Sequence, residues 1–451
     1  MKKIVSVGFL LLGLLLCFAL ALGTVLLGPS GPGANERLAP APVWQKAEGG
    51  VNDRFLSDAS DWYGDHFAGR QALINAWARA NAAVFSVSAS EDVLLGRDGW
   101  LFYASTLSDY TGSGGMTERE LAFAARNLLL LQEYCETRGM VFAFAPVPNK
   151  NTLYGDRMPK CGSVSPEHDL DRLCTLLAES GVHTAELRSA FAAEPETLYF
   201  AHDSHWTSRG AALGADVINA AFDRESRYFA GEFTDVQPHQ GDLFEMLYPT
   251  AEDGETDALP TAAPQYRFAD GSGTRPDSIT ICTLGEGSGT LFAWRDSFGN
   301  LLYPYLADSF AAATFSRAVN YNVTAAETAG ADTVLIELVE RNLRNLADNL
   351  PVMPAPVRDF QAECVDGGRT LLTAEPAGQD LPGCTLWQGV LSGADAETPV
   401  WLLTSTAAYE CFRLSGDRVA AYLPETETVT DAAASRDGRI TIWSVDISSE
   451  G

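Results

Sequence analysis

Apolar and polar positions follow different rhythms along this chain, and each rhythm predicts a type of element. Ile4 to Leu27 is apolar and carries no charged residue. About 20 such residues cross a bilayer as a helix. Gly28 to Gly50 is rich in Pro, Gly and Ala and reads as a tether. Phe55, Leu56, Trp62, Tyr63, Phe67, Leu73, Ile74 and Trp77 recur at roughly helical spacing. They predict two short helices broken near Gly64–Gly69, with the aromatic residues expected in a core. Thr117 and Glu120 have the spacing of a capping box, so a helix should run from there to Arg138, with Gly139 ending it. Met140 to Val147 and Thr333 to Val339 are continuous apolar runs, as expected of strands covered on both faces. Leu170 to Leu177 reads as a helix and His183 to Leu187 as a short strand. Thr207 should cap a helix over Ala211 to Phe222. Leu291 to Trp294 is a strand, followed by a turn and an apolar helix over Leu301 to Ala307. Residues 223–290 have a poorer pattern and are expected to be mostly loop or insertion.

Alternating strands and helices predict a three-layer α/β sandwich with a mostly parallel sheet. The character changes after Leu350 to Pro356. Pro399–Leu403, Glu410–Leu414, Val419–Leu423 and Arg439–Trp443 read as short strands between turns, predicting a small C-terminal β-rich unit, in form a β-sandwich. The expected boundaries are 1–28 for a membrane anchor, 29–50 for a linker, 51–355 for the α/β domain and 356–451 for the β-rich domain.

Charge narrows the functional classes. The chain of 451 residues has 31 Lys and Arg against 59 Asp and Glu, a net charge of −28. That balance argues against nucleic acid, since phosphate binding depends on Lys and Arg. Lys2 and Lys3 precede the first apolar run and no charge closely follows it, which places the N-terminus in the cytoplasm and the bulk of the chain on the extracytoplasmic side. An uncleaved single-pass anchor is favoured over a cleaved signal with Ala19-Leu20-Ala21 as its site, because the apolar core is longer than a signal requires. Seven of the eight cysteines lie outside this run, with no CxxC spacing; bridges among Cys135, Cys161 and Cys174 and among the last three, or buried free thiols, are the alternatives.

Two stretches carry candidate chemistry. In His202-Asp203-Ser204-His205-Trp206-Thr207, Asp203 and His205 are two apart in an extended segment and can point to one side. In Arg295-Asp296-Ser297-Phe298-Gly299, a serine sits where a strand turns into a helix, which exposes its oxygen and offers backbone N–H groups to an oxyanion. A serine hydroxyl needs an imidazole to take its proton and a carboxylate to hold that imidazole. Ser297, His205 and Asp203 are therefore the expected nucleophile, base and orienting carboxylate. Lys150 follows a predicted buried strand at the end where ligands gather in open α/β sheets; a solvated loop lysine is the alternative. A metal reading of His202, Asp203 and His205 lacks a clear third ligand.

Together these segments resemble the SGNH hydrolase-like family of AlgX/AlgJ type, also called DHHW proteins. The resemblance covers roughly residues 50–350. It rests on Gly99-Trp100-Leu101-Phe102, Pro148-Asn149-Lys150 with Tyr154, Asp203-Ser204-His205-Trp206-Thr207, Gly241-Asp242-Leu243, Arg295 to Gly299 and Glu340-Arg341-Asn342. Ser204 stands where the DHHW name has a second histidine, and Arg295 where many SGNH serine blocks have glycine. The resemblance implies an SGNH-like fold and an O-acetyltransferase or acetylesterase acting on an exported or cell-surface polysaccharide. It implies Ser297, His205 and Asp203 as the catalytic residues and no cofactor or metal, with Arg295, Asn149, Lys150, Trp206 and Arg341 as helpers toward substrate or oxyanion. The acetyl donor it implies is a separate membrane-bound acyltransferase. The rival reading is a catalytically inactive glycan-binding or scaffold protein of a polysaccharide export system; a metal-dependent hydrolase is a third.

Overall fold

A computed structural model describes residues 2–33, 36–46 and 49–448. A helix spans Lys2–Leu27. Among the described residues no helix is long and apolar enough to cross a membrane. Met1 and the side chains of residues 2–6, 8, 9 and 12, which the expected anchor includes, lie outside the described residues. Helices Phe55–His66 and Arg70–Ala80 follow, split by a left-handed Gly69 (φ 81°). The aromatic residues expected in a core are not fully buried: Trp77 is 65% exposed, and Phe55, Trp62, Tyr63 and Phe67 are partly buried. Helical periodicity marks a face, but it does not say what covers that face.

The centre of the molecule is a six-stranded sheet. Its strands are β1 (Val141–Val147), β2 (Tyr266–Phe268), β3 (Thr280–Gly285), β4 (Thr290–Trp294), β5 (Ala312–Ser316) and β6 (Thr333–Val339), in the order β1-β6-β4-β5-β3-β2. The first four in that order are parallel, and β3 pairs antiparallel with β5. The sheet is therefore mixed. The last two strands on one side of the sheet, β3 and β2, come from the stretch expected to be loop; they are short and only partly buried, so no strong alternation marks them.

Side chains alternate between two cores, as a strand's period of two requires. Phe142, Phe144, Phe292, Trp294, Val334 and Ile336 face helices α1 (Glu118–Thr137) and α2 (Asp169–Ser180). Val147, Leu291, Ala293 and Leu335 face α3 (Ser208–Ala221) and α4 (Gly299–Ser309). Each large apolar side chain buried this way contributes roughly 1.5–3 kcal/mol, so the three layers are held by the strands' two faces together. The capping box of α1 forms as its sequence predicts, with Thr117 accepting from the Glu120 amide. His183–Leu187 is not a strand: only Thr184 bridges to Phe144, and a helix starts at Leu187.

Residues 357–448 form the expected β-rich unit, its nine strands hydrogen-bonded in one continuous sheet order around a shared core. Ala408–Glu410 pairs at one side of that sheet and Phe412–Leu414 at the other, so the single stretch through Cys411 links its two sides. This unit docks on α1. Glu410, 1% exposed, accepts from Arg126 and Arg358, and Asn127 exchanges hydrogen bonds with the Arg413 backbone. All eight cysteines are free thiols, Cys135 and Cys411 buried.

Candidate active site

Ser297 stands at the carboxyl end of β4, where the chain turns into α4. The turn is tied to its neighbours by backbone groups. Arg295 N–H donates to the Ser316 carbonyl (2.8 Å). The Asp296 carboxylate accepts from Phe298 N (2.8 Å), Val339 N (2.9 Å) and Asn342 Nδ2 (2.8 Å), which fixes the turn to the end of β6. Gly299 is required here, since a Cβ would come within 2.5 Å of the Arg295 side chain. Beneath the turn, burial pushes the Glu337 carboxyl well above the ordinary range, and its Oε2 accepts the Asp296 amide at 3.2 Å.

Asp203 and His205 lie in the segment between Tyr199 and the N-terminus of α3, where Thr207 accepts from Gly210 N as the cap. His205 Nδ1 donates to Asp203 Oδ1 at 2.7 Å, and His205 Nε2 lies 2.8 Å from Ser297 Oγ. A carboxylate only accepts, so the Nδ1 proton is assigned to it and Nε2 is left as acceptor for the serine hydroxyl. The two segments are also joined directly, Trp206 Nε1 donating to the Phe298 carbonyl at 3.1 Å. Ser297 and His205 open on a cavity of 240 Å³, whose walls include Phe200, His239, Asp242 and Leu301.

The stretch from His239 to Asp257 clamps the histidine segment with a series of polar side chains. Glu255 accepts from the amides of Ala201 (2.5 Å) and His202 (3.0 Å). Asp253 accepts from His202 Nδ1 at 2.6 Å, and Asp242 from Ser204 N (2.7 Å) and Oγ (2.6 Å). Asp257 accepts from Ser208 Oγ at 2.5 Å. His239 Nε2 donates to Asp203 Oδ2 at 2.9 Å. Gly241 allows this approach, because a Cβ would meet the His202 carbonyl oxygen at 2.4 Å. Burial works against the Asp203 charge, but the hydrogen bonds from His205 and His239 outweigh it and hold that carboxyl well below the ordinary range. Burial, and then the charge of Asp203, push Asp242 up.

The five expected helpers divide. Lys150 is neither a solvated lysine nor a substrate contact: its Nζ is buried and donates to the carbonyls of Leu101 (2.6 Å), Ala201 (2.8 Å) and Asp203 (2.9 Å). It braces the histidine segment from below, and burial pulls its ammonium down to about 7. Arg295 is buried and donates to the Pro276 carbonyl and to Asn300 Oδ1, both at 2.6 Å, so it holds the serine turn rather than an oxyanion. Trp206 is fully buried and bridges the two segments. Asn149 is buried, accepts from the Arg341 amide and donates its own amide to Glu340. The Arg341 guanidinium lies 5.2 Å from the centre of the Phe298 ring and, among the described residues, has no hydrogen-bond acceptor. Of the five, Arg341 alone keeps a free cationic group beside the serine turn.

Two groups have the composition of a cation site, His202 with Asp253 and Glu255, and Asp203 with His205 and Asp242. In both, the carboxylate oxygens are the acceptors already named, and both groups read as hydrogen-bond networks. His239, Asp253, Glu255 and Asp257 escaped sequence reasoning. The available signal was Gly241-Asp242-Leu243 with an unusual density of acids around it, inside a stretch whose weak apolar pattern concealed it.

The layered α/β fold thus sets a serine on a strand-to-helix turn opposite a histidine held by an aspartate. The resemblance read from the sequence motifs stands: residues 93–274 match the family described as SGNH hydrolase-like domain, acetyltransferase AlgX. A curated relative from Pseudomonas syringae pv. tomato, "Probable alginate O-acetylase AlgJ", is 26% identical over 209 residues, 44% of this chain and 51% of the relative. A second of the same description, from Pseudomonas putida, is 25% identical over 206 residues, 44% of this chain and 52% of the relative. The chain thus spans about half the length of the curated relatives it matches. Among solved structures, a DHHW family protein from Eubacterium siraeum matches with a TM-score of 0.43 and 16% identity, over 57% of this chain and 94% of that one. The O-acetyltransferase domain of Pseudomonas putida AlgJ matches with a TM-score of 0.37 and 19% identity, over 57% and 93%.

Proposed function

We propose that this chain is a membrane-anchored, extracytoplasmic O-acetyltransferase or acetylesterase acting on a cell-surface or exported polysaccharide. The observation that carries the reading is the continuous hydrogen-bond path from Ser297 Oγ through His205 to Asp203, at 2.8 and 2.7 Å. The relatives' names supply the substrate class, and the uncharged apolar run Ile4 to Leu27 is the sequence feature behind the anchor.

In the first half-reaction Ser297 Oγ attacks the acetyl carbonyl carbon while His205 Nε2 takes its proton. Asp203 stabilises the imidazolium and keeps the ring in register. The Ser297 amide, which donates to no described residue, and the Arg341 guanidinium are the groups available to the oxyanion. Collapse breaks the bond to the leaving oxygen or sulfur, which takes the proton from His205, and leaves acetyl-Ser297. In the second half-reaction an acceptor hydroxyl gives its proton to His205 and attacks the acetyl carbon; the bond from that carbon to Ser297 Oγ breaks, and His205 returns the proton to Oγ. A sugar hydroxyl makes the chain a transferase; water makes it an esterase. A membrane-bound acyltransferase is the proposed acetyl donor.

The test follows p-nitrophenol release from its acetate by the purified full chain, with Ser297→Ala and His205→Ala beside it, before acceptor sugars are screened for transfer. Loss in both variants supports the reading. Activity unchanged in Ser297→Ala sinks it, and sugar binding without any serine-dependent activity selects the scaffold.

A further inference from the structure

Two carboxylates compete for one imidazole nitrogen at this site. Asp203 Oδ1 lies 2.7 Å from His205 Nδ1, and Asp242 Oδ2 lies 3.5 Å from the same atom. Only one of them can set the ring so that Nε2 meets Ser297. What distinguishes them is their other partners. Asp242 is taken up by Ser204, through both its amide and its hydroxyl. Asp203 receives His205 N and Nδ1 on Oδ1, and His239 Nε2 and Asp242 N on Oδ2. Of these four donors, His239 is the one side chain that arrives from outside the histidine segment. Its ring is parallel to Phe200, with centroids 3.7 Å apart, so its direction is fixed by packing before it donates. The charged groups that face it are Asp203, Glu255 and Asp257, with Asp242 and Glu245 nearby on the following helix; all are acids, and they keep its N–H polarised toward oxygen.

Building on the acyl-transfer reading above, we propose that His239 is a positioning residue. Its Nε2–H pins Oδ2 of Asp203, so that Asp203 rather than Asp242 orients His205 and leaves Nε2 of His205 as the acceptor for Ser297. One carboxylate is held between two imidazoles: one faces the reacting serine, and the other fixes the carboxylate in place. His239 lines the same cavity, yet on this reading its effect on the reaction passes wholly through Asp203.

The test separates this from simple packing against Phe200. His239→Phe keeps an aromatic ring for Phe200 but removes the donor. His239→Gln keeps an N–H donor. Both are made in the full chain and in an Asp203→Ala background. In the parent background His239→Phe should lower kcat for acetyl-ester hydrolysis about tenfold or more, the order expected for one lost hydrogen bond to a charged group, with KM within about twofold. His239→Gln should recover most of that loss. In the Asp203→Ala background His239→Phe should change kcat by less than about twofold, because groups that act as a unit are not additive. A loss of the same factor in both backgrounds overturns the proposal, as does a Gln variant no better than Phe.

A second measurement needs no turnover. The chain has six histidines, so selective 15N-histidine labelling resolves the tautomer of His205. The parent and His239→Gln should show one sharp His205 Nδ1–H signal, and in His239→Phe that signal should shift or broaden as the proton is shared between Asp203 and Asp242. An unchanged His205 Nδ1–H signal in His239→Phe overturns the proposal even in a chain that hydrolyses nothing. Absence of any Ser297-dependent reaction counts against the enzyme reading alone. Should His239→Phe lose its fold by circular dichroism, His239→Asn, whose amide falls short of Asp203, takes its place with the same expectations.

Discussion

The serine turn and the histidine segment face one cavity, yet they are supported by opposite kinds of structure. The turn at Ser297 lies between β4 and α4, whose inward residues Leu291, Ala293, Leu302 and Leu306 are nearly fully buried. Packing sets the two elements that carry it and has little dependence on pH, and Arg295 and the Asp296 carboxylate then tie the turn itself to its neighbours. The segment around His205 rests on ions: Lys150 below it, and Asp242, Asp253, Glu255 and Asp257 beside it. Such a network rigidifies when every member is satisfied and is costly when one is removed. The nucleophile is thus carried by two apolar-packed elements with a few polar ties at the turn, and the base by a clamp that is polar throughout. Acidity in this chain accordingly has a local structural role as well as a solubilising one.

Perturbing either support should reveal this contrast, and the size of each effect ranks the parts. Ser297→Ala and His205→Ala should lower kcat/KM for an acetyl ester by about three to six orders of magnitude without moving the thermal midpoint. Asp203→Asn should cost about 10³–10⁴-fold in kcat, since the amide can no longer fix the imidazole tautomer. Leu302→Ala attacks the apolar support and should lower unfolding free energy by about 2–5 kcal/mol, the same at pH 6 and pH 8 by denaturant titration. Glu255→Ala attacks the polar one. It strands the amides of Ala201 and His202 and should cost about 1–3 kcal/mol, with kcat falling more than in Leu302→Ala. An equal loss of kcat in both variants would break the contrast.

The finest test is the sign of the pH dependence. Asp203 is held below its unfolded value, so its contribution to stability is present above about pH 4 and is lost as pH falls through the lower folded value. Glu340 runs the other way. Burial raises it to about 8, so between about pH 4.5 and 8 the folded chain holds a proton that the unfolded chain does not, and stability falls as pH rises through that window. Glu340→Gln preserves an acceptor for Asn149 N and Thr152 Oγ1 and should flatten this slope, gaining stability over the parent at pH 8.5 in thermal melts.

Much of this architecture was legible along the chain because its signals are local. The runs Val141–Val147 and Thr333–Val339, the cap at Thr117 and the strand–turn–helix around Ser297 each depend on neighbours a few residues apart, and periodicity or capping chemistry suffices to read them. Asp203 and His205 were readable for the same reason. The partners of Lys150 and Arg295 were not. A cation at the end of a strand looks the same in sequence whether it meets solvent, substrate or three carbonyls, and only burial decides among these.

By itself, then, the sequence determined the two halves of the candidate centre and the layered fold that carries them, because both are set by short-range pattern. Only the tertiary structure decided that these halves lie 2.8 Å apart across 92 residues of chain, and that His239 to Asp257 closes on them. Hydrogen bonds between segments depend on distance and direction in space, and neither is encoded in the spacing of residues along the chain.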